Sequence, residues 1–227
     1  MRTFGAVVVA ALLIGAGGAS TGLARAAGPT VTAIDLGTLG GFISTAAAVS
    51  PSGQVVGSSA TAGNASGEVV GASLTAPGSP FIVPQHAFSW TANGGMVDLG
   101  TLGGDQSAAA RVNRSGQVVG LSNVAPDGPF HAFSWTEKGG MVDLGTLGGV
   151  ASNANDVNAH GQVVGESTLS GNTADHAFSW TRTGGMVDLG TIGGLDSRAL
   201  AVNNRGDAVG LSSTTGHTGF HATLWHT

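Results

Sequence analysis

A five-residue string, His-Ala-Phe-Ser-Trp, recurs along this chain at a constant interval. Three identical copies and one altered copy, His-Ala-Thr-Leu-Trp, start 45 residues apart, at His86, His131, His176 and His221. A second string, Asp-Leu-Gly-Thr-(Leu/Ile)-Gly-Gly, has the same spacing at Asp98, Asp143 and Asp188, and an earlier copy starts at Asp35. Self-similarity at a fixed period indicates a repeat architecture, in which each unit needs its neighbours to bury its apolar face.

Each repeat contains four short stretches with the alternation of β-strands. In the stretch 107–146, alternating residues predict a first strand up to Val112 and a second strand over 117–121. The turn between them, 113–116, has Asn first and Gly fourth, which favours a tight hairpin. The third strand is His131–Thr136, and a Gly-Gly turn leads into the fourth, Met141–Thr146. Phe and Trp lie on one face of the third strand, and Ala and Ser lie on the other.

Four antiparallel strands per repeat predict an all-β chain, and specifically a four-bladed β-propeller. The predicted units are 42–96, 105–141, 150–186 and 195–227, with the strand 32–38 completing the last one. Pairing of 32–38 with 221–227 would close the ring and protect two strand edges. The alternatives are an open array of β-meanders and a ring completed between two chains.

The first 26 residues have the features of a secretory signal peptide. Arg2 precedes an apolar run over 4–15, and Ala24-Arg25-Ala26 offers a cleavage site. The run is shorter than the ~20 residues that span a bilayer, so no membrane span is expected after cleavage. We therefore expect a secreted protein, extracellular or in the periplasm or cell envelope, with a single β-repeat domain over 27–227. The chain has no cysteine, which excludes thiol catalysis and disulfides.

Charge argues against nucleic acid as a partner. Without Arg2 and Arg25, 6 basic residues face 13 acidic ones, a formal net charge of −7. Nucleic-acid binders need a basic face instead.

Together, His-Ala-Phe-Ser-Trp, Asp-Leu-Gly-Thr-Leu-Gly-Gly and Asn-x-x-Gly-Gln-Val-Val-Gly resemble the bacterial HAF-repeat family of probable extracellular repeat proteins. The resemblance covers residues 33–227 and implies a secreted β-repeat protein. It carries over no catalytic or binding residue, because the family is defined by its repeat. The chain departs from the pattern at Ser50, where other units have Asn, and at Thr223-Leu224, which replace Phe-Ser.

The polar and aromatic residues that recur in register are interpreted as structural. A shared metal is the alternative for His and Asp, but their strands place them away from the centre of a propeller, too far apart for one ion. The Trp side chains could stack on sugars, but a residue that every unit repeats is more often part of the core. This structural set contains His86, Trp90, Asp98, His131, Trp135, Asp143, His176, Trp180, Asp188, His221 and Trp225.

Recognition is expected where the repeats differ, in the connections between second and third strands. These connections share one end of the sheets with the crossings between units, and variable loops on a rigid frame commonly bind partners. The first unit has about 18 extra residues here, which predict a protruding hairpin turning at 62–64. The candidate ligand-binding residues are Asn64, Glu68, Asp105, Asp127, Phe130, Asp175, Asp196, His217 and Phe220.

The sequence contains no catalytic motif of the common hydrolase or phosphate-binding types. We therefore expect a monomeric, non-catalytic module that binds a protein or glycan partner, without cofactor or metal. One alternative is a carbohydrate-active hydrolase or lyase that uses two loop carboxylates, for instance from Asp105, Asp127 and Asp196. Another is a structural surface protein that associates with itself.

Overall fold

A computed structural model describes residues 46–49, 55–57, 67–75, 84–216 and 219–226, with side chains described from residue 67 onward. The described residues form β-strands and turns and contain no helix, which confirms the all-β prediction. Within this part of the chain, no helix is present that could cross a membrane.

Sixteen strands follow one another along the described part of the chain. The first sheet is preceded by a hairpin of β1 (Ala46–Val49) and β2 (Val55–Gly57). Sheet 1 contains β3 (Val69–Leu74), β4 (Gln85–Thr91) and β5 (Gly95–Gly100). Sheet 2 contains β6 (Ser107–Val112), β7 (Val118–Asn123), β8 (Phe130–Thr136) and β9 (Gly140–Asp143).

The next two sheets repeat this order. Sheet 3 contains β10 (Gly148–Val157), β11 (Val163–Leu169), β12 (Asp175–Thr181) and β13 (Gly185–Gly190). Sheet 4 contains β14 (Gly193–Val202), β15 (Ala208–Thr214) and β16 (Phe220–Trp225). Neighbouring strands within each sheet are antiparallel and in equivalent register, so that Val118 faces Trp135 as Val163 faces Trp180.

The Asn-x-x-Gly segments form the tight hairpins that the sequence predicts. The Asn113 Oδ1 atom accepts hydrogen bonds from the backbone N–H groups of Ser115 and Gln117, each at 3.0 Å. Gly116 closes the turn with a φ of 79°, a conformation that glycine adopts without strain. Asn158 makes the same bonds in sheet 3.

The sheets stack in chain order through two different faces. The bulky face carries the Phe and Trp of the third strand, and the flat face carries its Ala and Ser. Sheet 2 presents Phe133 and Trp135 to the flat face of sheet 1, where Val70 and Ala87 are buried. Sheets 3 and 4 repeat this packing onto the sheets before them. Each interface therefore packs large side chains against small ones.

A glycine in the second strand permits close approach to the first. A register shift between Ala154 and Asp156 brings the Asn153 carbonyl against Gly165, where a Cβ atom would collide with it. Gly120 and Gly210 meet equivalent carbonyls in sheets 2 and 4. The glycine of the Val-Val-Gly string is therefore a packing requirement.

The sheets form an open β-repeat array, and no ring closes among the described residues. This fits the open alternative, whereas the four-bladed propeller stays a prediction. Its closing strand, 32–38, lies outside the described residues.

The expectation that the extra residues of the first unit form a protruding hairpin is wrong for their described part, residues 67–75. Strand β3 pairs with β4, with Val69 opposite Trp90, and so takes the place of the second strand in sheet 1. Val69 and Val70 are fully buried. The segment expected to fill this place, β2, pairs with β1 instead, in the register of β7 with β6. The turn expected at 62–64 lies outside the described residues.

Candidate binding face

The connections between second and third strands lie together at one end of the sheets, which we call the variable face. They are residues 124–129, 170–174 and the described residues 215, 216 and 219. In each of these repeats, a hydrogen bond joins the connection, or the strand end beside it, to the segment that leads in from the preceding sheet. The residue that makes this bond differs from one repeat to the next. Asn123 Oδ1 accepts from Gln106 N at 2.8 Å, Asn172 Oδ1 accepts from Val150 N at 2.9 Å, and Thr215 Oγ1 donates to Gly193 O at 2.7 Å. The face thus combines a constant frame with divergent loops.

A groove of about 360 Å³ lies on this face between sheets 2 and 3. Its size falls in the lower part of the range of small-molecule sites, about 300–1,000 Å³. Its lining residues are Leu121, Phe130, Ala151, Ser152, Asn153, Glu166, Ser167, Thr168 and Asp175.

Most polar side chains of the groove already have partners. Ser152 and Ser167 bond backbone groups between the sheets, Thr168 Oγ1 donates to Ala151 O at 3.0 Å, and Glu166 forms an ion pair with Arg198 at 3.2 Å. Leu121, Phe130 and Ala151 supply partly exposed apolar surface. The groove is therefore suited to contact an apolar surface by dispersion.

The structure brings some of the candidate ligand-binding residues together and separates others. Phe130 and Asp175 line the groove. The Asp196 carboxylate accepts a 3.1 Å hydrogen bond from Asp175 N and so lies beside it. Asp105 accepts from the Asn123 side chain at 2.7 Å, which joins it to the frame of the face.

The remaining candidates have diverse positions. Asp127 is exposed in its loop with a φ of 53°. Phe220 is 47% exposed at the start of β16. Glu68 accepts a 2.6 Å hydrogen bond from the Ser89 hydroxyl, which is a contact within sheet 1. Asn64 and His217 lie outside the described residues.

The recurring His and Asp residues bond to each other within sheets 1, 2 and 3. Nδ1 of His86, His131 and His176 lies 2.8–2.9 Å from Asp98, Asp143 and Asp188 respectively. Each Asp also accepts a 2.7 Å hydrogen bond from the glycine N–H two residues later. These pairs link the third strand to the fourth, which supports a structural role.

Buried serines form a connection between sheets that the sequence analysis missed. The Ser152 hydroxyl accepts from Ala132 N at 2.8 Å and donates to Gly145 O at 2.6 Å, joining sheet 3 to sheet 2. Ser107 and Ser197 make the same pair of bonds at the other two interfaces. These serines recur every 45 residues, and this spacing was the signal in the sequence that could have revealed them. A serine within a strand, however, does not indicate which group it will bond to.

The turn asparagines make a second connection between sheets. The Asn113 amide donates to Asn158 O, and the Asn158 amide donates to Asn203 O, each at 2.9 Å. Both asparagines are buried, so the bonds also satisfy groups that water does not reach. Asn113 begins a glycosylation sequon, but its side chain is engaged here.

Two aspartates away from the variable face have displaced pKa values of opposite sign. Burial raises the pKa of Asp156 above its usual 3.8, although the Val202 and Val157 N–H groups and Arg111 oppose this effect. Hydrogen bonds from Asn203, His226 and Arg205 lower the pKa of Asp207 to about 2. Burial therefore destabilises the ionised form of Asp156, whereas hydrogen bonds stabilise the ionised form of Asp207.

Asp156→Asn should raise the melting temperature at pH 7, by about 1–3 °C, because Asn keeps an acceptor for Val202 N–H without the buried charge. An acid with a raised folded pKa contributes stability below its unfolded pKa, and that contribution is lost as pH rises through the folded value. The difference in melting temperature between the native chain and the variant should thus disappear in acid. Thermal melts from pH 3 to pH 8 measure both effects.

Asp207→Asn is the matched control and should act oppositely. The lowered pKa means that its contribution is present above about 3.8 and is lost as pH falls towards about 2. The control should therefore reduce the melting temperature at pH 7. A lower melting temperature for Asp156→Asn at pH 7 would contradict the assigned cost of burial.

Among the described residues, no group of three or more His, Asp or Glu side chains is arranged to hold a metal ion. Comparison of the chain with protein-family models, curated proteins and solved structures finds no match.

Proposed function

We propose that this chain is a secreted, non-catalytic module that binds a protein or glycan partner through its variable face. The observation that carries the proposal is the groove between sheets 2 and 3, whose free surface is largely apolar. Binding sites of this kind combine an apolar surface with a few polar groups at its border. Asp175 and the loop 124–129 provide such groups beside Phe130.

The contacts of the acidic side chains favour binding over catalysis. A hydrolase or lyase needs two carboxylates that converge on the substrate. Asp105 is bonded to Asn123, Asp196 to the Asp175 backbone, and Glu166 to Arg198. These bonds hold the frame of the variable face.

We also propose export and a four-bladed propeller as the complete fold. Export is supported by the leader-like residues 1–26, and its product should start at Ala27 or within a residue or two of it. A propeller is supported by the constant stacking of bulky on flat faces and by the further copy of the fourth-strand string from Ala33 to Leu39. An exported protein that retains Met1, determined by mass spectrometry, would contradict cleavage.

Phe130→Ala should weaken binding at least tenfold while leaving the melting temperature within about 2 °C, because Phe130 is a partly exposed groove residue. The mature protein would be screened against glycans and envelope polymers, and affinity for the best ligand would be measured by calorimetry. Val187→Ala is the control, since it removes apolar atoms of a side chain that is 54% exposed on β13 and does not line the groove.

The control should reduce affinity less than twofold. A folded Phe130→Ala protein that binds with full affinity would show that the groove is not part of the binding site. A screen without any ligand, repeated with envelope proteins and again negative, would contradict the binding function.

A further inference from the structure

Charges are distributed unequally between the two ends of the sheets. The aspartates on or beside the variable face are Asp105, Asp127, Asp175 and Asp196. None of these four forms an ion pair with a described lysine or arginine. Four exposed basic side chains lie instead in the turns at the opposite end, and they are Arg114, Lys138, Arg182 and Arg205. The variable face therefore has uncompensated negative charge, which attracts a cationic partner.

The groove of the variable face combines an apolar part with an acidic part. Leu121 and Phe130 of sheet 2 and Ala151 of sheet 3 line it with partly exposed apolar surface. The exposed Asp175 lines the same groove. Its backbone N–H donates to the Asp196 carboxylate at 3.1 Å, which places a second carboxylate beside the groove. A ligand in the groove thus meets apolar surface and negative charge together.

The hydroxyl groups of the groove are already engaged within the protein. Ser152, Ser167 and Thr168 each form hydrogen bonds with backbone groups. Sugar hydroxyls that leave water here without new partners would lose free energy. An apolar side chain gains free energy by leaving water. The groove is therefore better suited to an apolar side chain with a cation beside it than to a neutral sugar.

We propose that the partner of the variable face is a polypeptide segment in which apolar side chains are adjacent to lysine or arginine. This inference rests on the proposed function and selects a protein partner over a glycan. An apolar side chain contacts Phe130 and Ala151, and the neighbouring cation pairs with Asp175 and Asp196. Opposite charges on the two partners also accelerate their encounter.

Fluorescence anisotropy with short labelled peptides tests this chemistry on the purified protein. The probe contains three Leu-Lys pairs. One reference peptide replaces lysine with glutamate, and the other replaces leucine with serine. The probe should bind about tenfold more tightly than either reference, because each reference lacks one of the two interactions.

Asp175→Asn should lower the affinity for the probe about fivefold, since an exposed ion pair contributes this much at the upper end of its range. Glu137→Gln is the matched control, because it makes the same change of carboxylate to amide and of net charge in an exposed turn at the opposite end. The control should change the affinity less than about twofold, and Asp175→Glu, which keeps the charge, should do the same. Equal losses in Asp175→Asn and Glu137→Gln would overturn the proposal, because net charge would then explain the attraction.

If Asp175→Asn does not fold, the salt dependence of the native protein decides the question. Affinity for the probe should fall as the salt concentration rises, because salt screens exposed charges. An affinity that does not change with salt would overturn the proposal. Equal binding of either reference peptide or of an oligomer of glucosamine would also overturn it. Self-association that blocks the probe would assign the face to a second copy of the chain instead.

Failure of this inference and failure of the proposed function give different results. A probe that does not bind, alongside a ligand from the glycan and envelope screen whose affinity depends on Phe130, would overturn the inference alone. A probe that does not bind, alongside a screen without any ligand, would overturn both.

Discussion

Replacing Gly165 with alanine should destabilise the protein by about 3 kcal/mol or more, since overpacking that forces backbone to move lies at the upper end of its usual cost. The added Cβ atom would meet the Asn153 carbonyl oxygen, which belongs to the paired strand and has no rotamer to change. Separation of β10 from β11 would also disturb the Val163–Phe178 contact with sheet 2. Urea unfolding followed by circular dichroism measures the loss.

Gly219→Ala is the matched control. It makes the same chemical change before β16, where a Cβ atom would meet nothing within 4 Å. The control should change stability by less than about 0.5 kcal/mol, as surface substitutions usually do. Similar stabilities for Gly165→Ala and the native chain would show that the two strands tolerate greater separation.

Removal of the proposed closing strand should also have a large effect. A version that starts at Phe42 should melt roughly 3–12 °C below one that starts at Ala27. Leu36 corresponds to Leu99 and Leu144, which are 5% and 6% exposed, so its burial is worth about 1.5–3 kcal/mol, and 1 kcal/mol corresponds to about 2–4 °C at this size. The uncovered edge and face of sheet 4 should in addition promote aggregation, which size-exclusion chromatography detects.

A version that starts at Thr32 separates the strand from the residues before it. This control lacks 27–31 but retains the whole of 32–38, so it should melt within about 2 °C of the version starting at Ala27. Equal melting temperatures for all three versions would rule out closure through this strand. A loss already present in the Thr32 version would assign the effect to residues 27–31.

The strand pattern could be predicted from the sequence because each element has a strong local signal. Alternation and the Asn-x-x-Gly turn determine the hairpins, and the separation of Phe and Trp from Ala and Ser determines the two faces. The partner of β4 could not be predicted in this way. The copies at 54–57 and 68–71, Gln-Val-Val-Gly and Glu-Val-Val-Gly, have nearly equal local propensities.

Loop length gives a physical reason for the observed choice. Pairing of β4 with β3 closes a connection of 10 residues, whereas pairing with β2 would close one of 27. The shorter loop is favoured by roughly 1 kcal/mol of closure entropy. Pairing of β4 with β2 would leave the hairpin β1–β2 unchanged. The two arrangements therefore differ in contacts between residues that are far apart in the chain, which no local sequence pattern describes.

The candidate site could be predicted only in part. Divergence among repeats selected Phe130 and Asp175, and both line the groove. The groove itself depends on how Leu121 of sheet 2 meets Ala151 of sheet 3, which is a property of packing between units. The bonds of Ser152 and Asn158 between sheets were missed for the same reason.

The asparagine bonds from Asn113 to Asn158 and from Asn158 to Asn203 give the repeat an evolutionary property. The donor and the acceptor of each bond lie at the same place in successive units. A gene duplication or deletion of one 45-residue period would therefore recreate every bond at the new junction. Chains with different numbers of units can thus arise in a single genetic event, and the loops of each added unit are free to diverge.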